Sequence, residues 1–305
     1  MQRIMDEGSC GAILDGDASL RHETRKWLYM ITLPIMWGLT SWVMIKKRII
    51  GGSVETNAYW FDGLSDQCRK IKEGAGGYKS LEIIYHFKAR FGAERRWWND
   101  LVAMYWVGMM NAQAVRNRLK IVTREVEAAL RRFEGTNKGI KILSIAAGSA
   151  RSVLEAMDGV KTVESNAVLV DISRNALSHS MEVAKELGVA DRCMTRRGNI
   201  FGMDSVKEAE RPDIVEMVGL LDYLDDKTIV ALFKKIRGWL PEGGTFLTGH
   251  IRRNPEQYFL KWVINWEMCY RDAEDLHRLL SAAGFEDRKI LLEPQGIHMV
   301  AVCRK

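Results

Sequence analysis

The residues best suited to chemistry in this chain are a run of small side chains and an acid that follows it. In KILSIAAGSARS, residues 141–152, the apolar Ile142, Leu143 and Ile145 give way to Ala146, Ala147, Gly148, Ser149 and Ala150. Residues 151–157 continue with the composition of a helix. The pattern predicts a buried parallel strand, a tight turn and a helix N-terminus, the usual geometry for holding a nucleoside-bearing cofactor. Twenty-three residues beyond Gly148, a second apolar run, AVLVDIS, contains Asp171 at its end. A carboxylate there can accept hydrogen bonds from both hydroxyls of a ribose. The loop has one glycine where a dinucleotide site uses three, and no GxxxxGKS cradle, so no pyrophosphate need press against its backbone.

Such residues need a scaffold, and the rest of the sequence predicts one. Residues 174–187 read as a helix, after which a short strand runs into Arg197, Gly198, Asn199 and Ile200. A strand over 214–218 opens into GLLDYLDD, and a helix over 227–240 follows. The turn PEGG leads to a strand over 245–248; a helix over 273–283 stops at Gly284, and 289–292 with 297–302 read as a closing hairpin. This alternation predicts an α/β fold, a doubly wound, mostly parallel, seven-stranded sheet with a reversed final strand. Ligands of open α/β sheets bind outside the carboxyl ends of the strands. That rule gathers residues 148–152, Asp171, Asn199, Ile200, 219–223 and 250–254 around one crevice, with Ser144 and Ala146 on its floor.

The small-residue turn resembles motif I of class I S-adenosylmethionine (SAM)-dependent methyltransferases. Ser144, Ala146, Gly148 and Ala150 stand where that motif commonly carries an acid and three glycines. The PEGG turn resembles the family as well, and the likeness runs from residue 138 to the end. It implies a Rossmann-like methyltransferase domain with SAM as cofactor. Asp171 would hold the ribose, Asn199 with Ile200 beside it would meet the adenine, backbone groups at Gly148 and Gly219 would meet the methionine part, and Ser144, Ala146, Ser149, Ala150 and Ile172 would complete the cofactor site. Residues 219–226 and 254–276 are similar to bacterial methyltransferases of the 3-hydroxy fatty acid carboxyl methyltransferase type. That similarity implies a small or lipid-like acceptor, a carboxylic acid among the candidates. Asn254 would cap a helix with Pro255 in its first turn, and Phe259, Trp262, Val263 and Trp266 would share one face as an apolar lid. Arg271 or Arg252 would pair with an acidic group, and Tyr223 and Arg271 are candidate catalytic residues together with His250. His250, at the end of the fifth main strand, is the histidine best placed to take a proton, although a carboxylate acceptor needs no base.

Charge and cysteine usage narrow the remaining classes. Residues 1–134 hold 21 Lys and Arg against 15 Asp and Glu, whereas residues 135–305 hold 24 of each. A neutral catalytic region argues against nucleic acid as the substrate. The alternatives are an RNA methyltransferase that grips phosphates with basic N-terminal helices, and a SAM-binding protein without catalysis. Cys10, Cys68, Cys193, Cys269 and Cys303 show no CxxC spacing and read as reduced thiols in a cytoplasmic compartment; no metal site is expected.

Residues 1–134 read as a helical region ahead of a catalytic domain at 135–305. Within it, residues 27–45 carry no charge, are bracketed by Arg25 and Lys26 and by Lys46, Lys47 and Arg48, and place Trp27, Tyr29 and Trp42 near the ends. The segment just reaches bilayer length, so it is expected to span a membrane, to lie on its cytoplasmic face, or to pack on the domain as an ordinary helix. Residues 79–91 and 94–133 read as helices after a GAGG break, with Trp97, Trp98 and Leu101 starting an apolar stripe. A helix before the first strand often crosses the pocket in this fold class, which makes Asn111, Arg116, Asn117 and Arg118 candidates to face a substrate.

Overall fold

The computed structural model describes residues 12–14, 20, 26–50, 63–86, 103, 105–203 and 211–305. Cys10, Trp97, Trp98 and Leu101 lie outside them. The chain divides into two compact units, one built from residues 1–20, 117–252 and 269–305, the other from 21–116 and 253–268.

The first unit is the expected doubly wound sheet. Its strands are β1 (Ala12–Ile13), β2 (Ile140–Ile145), β3 (Ser165–Asp171), β4 (Cys193–Arg197), β5 (Ile214–Val218), β6 (Thr245–Ile251), β7 (Asp287–Leu292) and β8 (His298–Arg304), in the order β1-β7-β8-β6-β5-β2-β3-β4. Seven of these are the expected strands; β1 is a two-residue addition that pairs parallel with β7 at the edge. Pairing is parallel from β6 through β5, β2 and β3 to β4, and only β8 runs antiparallel to its neighbours. The reversal follows from the short turn between β7 and β8, since only antiparallel strands can be joined by a hairpin.

Apolar residues alternate along the strands, so each face of the sheet buries its own core. One face packs Phe233, Phe246 and Phe285 together with Trp239 and Leu276. The other packs Ile142, Leu169, Leu247 and Val300 beneath Ile121, Val122 and Val126 of the helix Met110–Arg131. Three helices between strands, Arg151–Gly159, Arg174–Glu186 and Asp226–Trp239, return the chain so that successive carboxyl ends share one rim.

The second unit is helical. Its long helix Lys26–Ile50 buries Leu33, Met36, Thr40 and Val43, a stripe at spacings of three and four residues. Lys47 donates to the Trp262 carbonyl at 2.8 Å and to the Asn265 side chain. Among the described residues, no helix is long and apolar enough to cross a membrane, which removes the spanning expectation for residues 27–45. Thr40 and Ser41 with Pro34 and Gly38 dilute the apolar run, and the buried stripe gives it protein neighbours.

The segment expected as one helix over 94–133 is helical at 105–107, breaks at residues 108–109 and resumes as the helix Met110–Arg131. The fully buried Glu256 carboxylate supplies the reason: it accepts from the backbone N–H groups of Met110 (2.9 Å) and Asn111 (2.8 Å), which otherwise lack partners at a helix start. Asn254 does not cap the following short helix, which runs Gln257–Trp262 with Glu256 as N-cap; the Asn254 side chain accepts from the Glu256 N–H at 3.0 Å. Phe259 from the expected lid is buried and stacks on Trp106 within this unit, with ring centroids 4.8 Å apart.

Candidate active site

The turn after β2 has a backbone dictated by its small residues. Ala146, Gly148 and Ala150 all take positive φ, at 53°, 55° and 52°. Only small residues occupy that left-handed region without a large clash, and for alanine it costs about 1 kcal/mol. The resulting turn lays its amides against the end of β3: Ala147 N–H donates to the Val170 carbonyl at 3.0 Å, and Gly148 N–H to Asp171 Oδ2 at 2.9 Å. Asp171 Oδ1 accepts from Ser173 N–H at 2.8 Å. Each carboxylate oxygen keeps a second lone pair, so the group is oriented by the backbone and can still accept from a ligand.

Residues around Asp171 form the walls. Ile172 beside it is 68 % exposed. Asn199 turns its side-chain oxygen back to the Phe201 N–H at 3.1 Å and starts the turn Ile200–Gly202. Ile200, expected beside the adenine, is buried in the core, and Phe201 is the exposed apolar residue at that corner. Gly219 follows β5 with φ of 91°, and a Cβ added there would meet nothing within 4 Å, so space lies open in front of its backbone. Ser144 is fully buried below, donating to Glu216 Oε2 at 2.6 Å, and Ser149 and Ala150 are buried in the turn. Burial pushes the Glu216 carboxyl up to about 7, against the Ser144 hydrogen bond and the nearby charge of Arg118.

At the ends of β5 and β6 the structure corrects two expectations. His250 is fully buried, with Nδ1 2.5 Å from Asp222 Oδ1 and Nε2 3.2 Å from an Arg271 terminal nitrogen. Arginine only donates, so Nε2 accepts, the ring proton sits on Nδ1, and neither nitrogen is left to deprotonate an acceptor. Arg271 is equally committed, to Asp226 (2.8 Å) and to the carbonyls of Leu221 (3.3 Å) and Leu224 (2.7 Å). The pair fixes the loop after β5 instead of reading a substrate. Burial alone would raise the Asp222 carboxyl, but the hydrogen bond from His250 and the nearby positive charge of Arg118 outweigh it and hold the group below the usual carboxylate range. Arg252 is held by the Gly296 carbonyl at 3.0 Å and lies 3.5 Å from Asp272. Tyr223 ends the turn Leu221–Tyr223, 45 % exposed.

The sequence profile of a family described as "Putative methyltransferase" matches residues 62–305. The chain belongs to this methyltransferase family. No curated protein matches the sequence. Among solved structures, a protein described as a possible exported protein from Bordetella parapertussis is similar at 16 % identity with a TM-score of 0.67, over 93 % of this chain and 99 % of that one. Magnesium protoporphyrin IX methyltransferase from Synechocystis, solved with bound S-adenosylhomocysteine (SAH), is 11 % identical with a TM-score of 0.52, over 79 % and 100 %. An O-methyltransferase family 2 protein from Planctomyces limnophilus, solved with apigenin, is 15 % identical with a TM-score of 0.50, over 94 % and 98 %. At these identities the likeness shows the shared fold.

The methyltransferase crevice fits SAM, the donor used on this fold. Asp171 has lone pairs for a ribose, Ile172 and Phe201 offer apolar surface for a base, and Gly219 leaves its backbone approachable. Phe201 was legible only as the exposed neighbour of a motif residue. Among the described residues, no group of three or more His, Cys, Asp or Glu side chains is arranged to hold a metal ion.

Proposed function

We propose that this methyltransferase transfers the methyl group of SAM to a small acceptor that carries an ionised carboxylate. The observation that carries this reading is the engagement of both His250 nitrogens, by Asp222 and Arg271. An acceptor hydroxyl or amine would need a base there, whereas a carboxylic acid, with a pKa near 4, arrives deprotonated at neutral pH. SAM supplies a methyl group on an already positive sulfur, so the chain's residues have to bind, orient and exclude water. Asp171 and the turn of Ala146, Gly148 and Ala150 hold the donor, and the fixed loop after β5 forms the wall against which the acceptor is placed. The similarity of residues 219–226 to carboxyl methyltransferases supports the same class.

Incubation with labelled SAM and separate pools of carboxylic acids of increasing chain length, phenols and RNA tests this reading. Label released from the acid pool by mild base as methanol is the expected result, and the dependence on chain length reports how lipid-like the acceptor is. Label confined to RNA or to base-stable ethers contradicts it.

A further inference from the structure

Arg118 projects from the helix Met110–Arg131, and its interactions do not balance its burial. The residue is 5 % exposed, yet among the described residues it makes no hydrogen bond and no ion pair. Its stem crosses the sheet at Gly249, where an added Cβ would lie 3.7 Å from Arg118 Cδ and 3.1 Å from Val218 Cγ1. The tight approach there is to Val218, and the arginine stem lies at ordinary contact distance over Gly249.

Sheet register locates the head group. Val218, Gly249 and Val300 form one row across β5, β6 and β8. Glu216 lies one step below on the same face, and His298, opposite Ile251, one step above, toward the carboxyl ends. The groups that feel the guanidinium are Glu216, Asp222 and His298. Glu216 is engaged by Ser144, and Asp222 by His250 and the Ile251 N–H. His298 is 3 % exposed and neither of its ring nitrogens has a partner. Burial, with Arg118 adding to it, drives the His298 imidazole well below its ordinary pKa, so at neutral pH it has one N–H to give. A buried imidazole with no partner and a permanently charged guanidinium, none of whose nitrogens is a sealed atom without a partner, thus share the rim of the sheet. A guanidinium so confined, with donors left over, is a ready partner for a ligand anion.

We propose that Arg118, with His298 beside it, is the receptor for the carboxylate of the acceptor. The inference rests on the acid-acceptor reading above and deepens it. A guanidinium fork matches a carboxylate in geometry as well as charge. The position favours the acceptor over the donor's own carboxylate: Gly249 is three strands from Asp171, about 14 Å at ordinary strand spacing, beyond the Gly219 side of the crevice. Arg118 grips the carboxylate and orients one of its oxygens, which keeps a free lone pair, for attack. That oxygen's lone pair forms the new O–CH3 bond, the S–CH3 bond breaks, and its electron pair stays on sulfur. The products are a methyl ester and SAH, and no proton is moved.

The test measures binding to the full-length protein, first of SAH and then, with SAH saturating, of octanoate and benzoate against their amides. The wild type should prefer each acid over its amide by about tenfold or more. Arg118→Met should abolish that preference while SAH affinity is unchanged and the protein remains folded by thermal melting. Arg118→Lys should restore part of it, and His298→Leu should lose a smaller part. A wild type that binds SAH but treats acids and amides alike overturns the receptor and leaves the donor site standing. An Arg118→Met protein that loses SAH affinity and keeps the acid preference also overturns it, assigning the arginine to the donor. A wild type that binds no SAH takes down the methyltransferase reading as well.

Discussion

The two halves of the crevice rim are built in opposite ways. At the ends of β2 and β3 the work is done by backbone: positive φ at three small residues aims amides at Asp171, whose carboxylate has capacity to spare. At the ends of β5, β6 and β8 it is done by side chains, with Asp222, His250 and Arg271 in one buried chain and Arg118 with His298 beside it. A turn of backbone is encoded by neighbours in sequence and tolerates alanine for glycine at modest cost. A buried polar network is encoded by residues tens to more than a hundred positions apart and tolerates little, because removing one member strands the others.

If that contrast is right, the largest stability loss comes from the side-chain half. Asp222→Ala should lower unfolding free energy by about 3–5 kcal/mol in urea titrations. Because the folded-state pKa of Asp222 is depressed, its contribution is present above about pH 4 and is lost as pH falls further, so the gap between wild type and variant should close on acidification. A loss under 1 kcal/mol would make the network ornamental. Glu216 carries the opposite sign. Its raised folded pKa, about 7, means its contribution is full below about pH 4.5 and declines as pH rises through 7. Wild type should therefore lose stability relative to Glu216→Gln over that window, by on the order of 3 kcal/mol in total. A constant difference from pH 4.5 to 8 would show that Glu216 is ordinarily ionised.

The backbone half should respond more gently. Phe201→Ala removes apolar surface at the adenine corner and should weaken SAH binding by about 1 kcal/mol in calorimetry, with little change in stability. An unaffected affinity would place the base elsewhere. Ala146→Gly relieves a left-handed alanine and should stabilise the protein by up to ~1 kcal/mol, about 2 °C by calorimetric scanning. Destabilisation would mean that the methyl group of Ala146 packs usefully.

The same contrast explains what could be read from the sequence. Strands β2, β3, β5 and β6, their connecting helices and the positions of the Gly148 turn and of Asp171 are local in pattern and legible from spacing, whereas the Gly148 N–H to Asp171 bond is seen only in the structure. The roles of His250 and Arg271 went astray because each is decided by partners far along the chain: Asp222 for one, and Asp226 with two backbone carbonyls for the other. His298 carried no signal beyond its residue type, and Arg118 only its place on the helix before β2. Residues 27–45 looked membrane-like because composition does not show that Leu33, Met36 and Val43 share a buried stripe.

Calorimetric titration of SAH into wild type and Asp171→Ala tests the central claim most directly. One site per chain in the wild type, and no detectable heat of binding in the variant at the same concentrations, is the expected result. The variant should remain folded, though weakened by about 1–3 kcal/mol because the Gly148 and Ser173 amides lose their acceptor. Equal SAH affinity in the two proteins would show that the donor does not sit on Asp171, and the assignment of the crevice would fail.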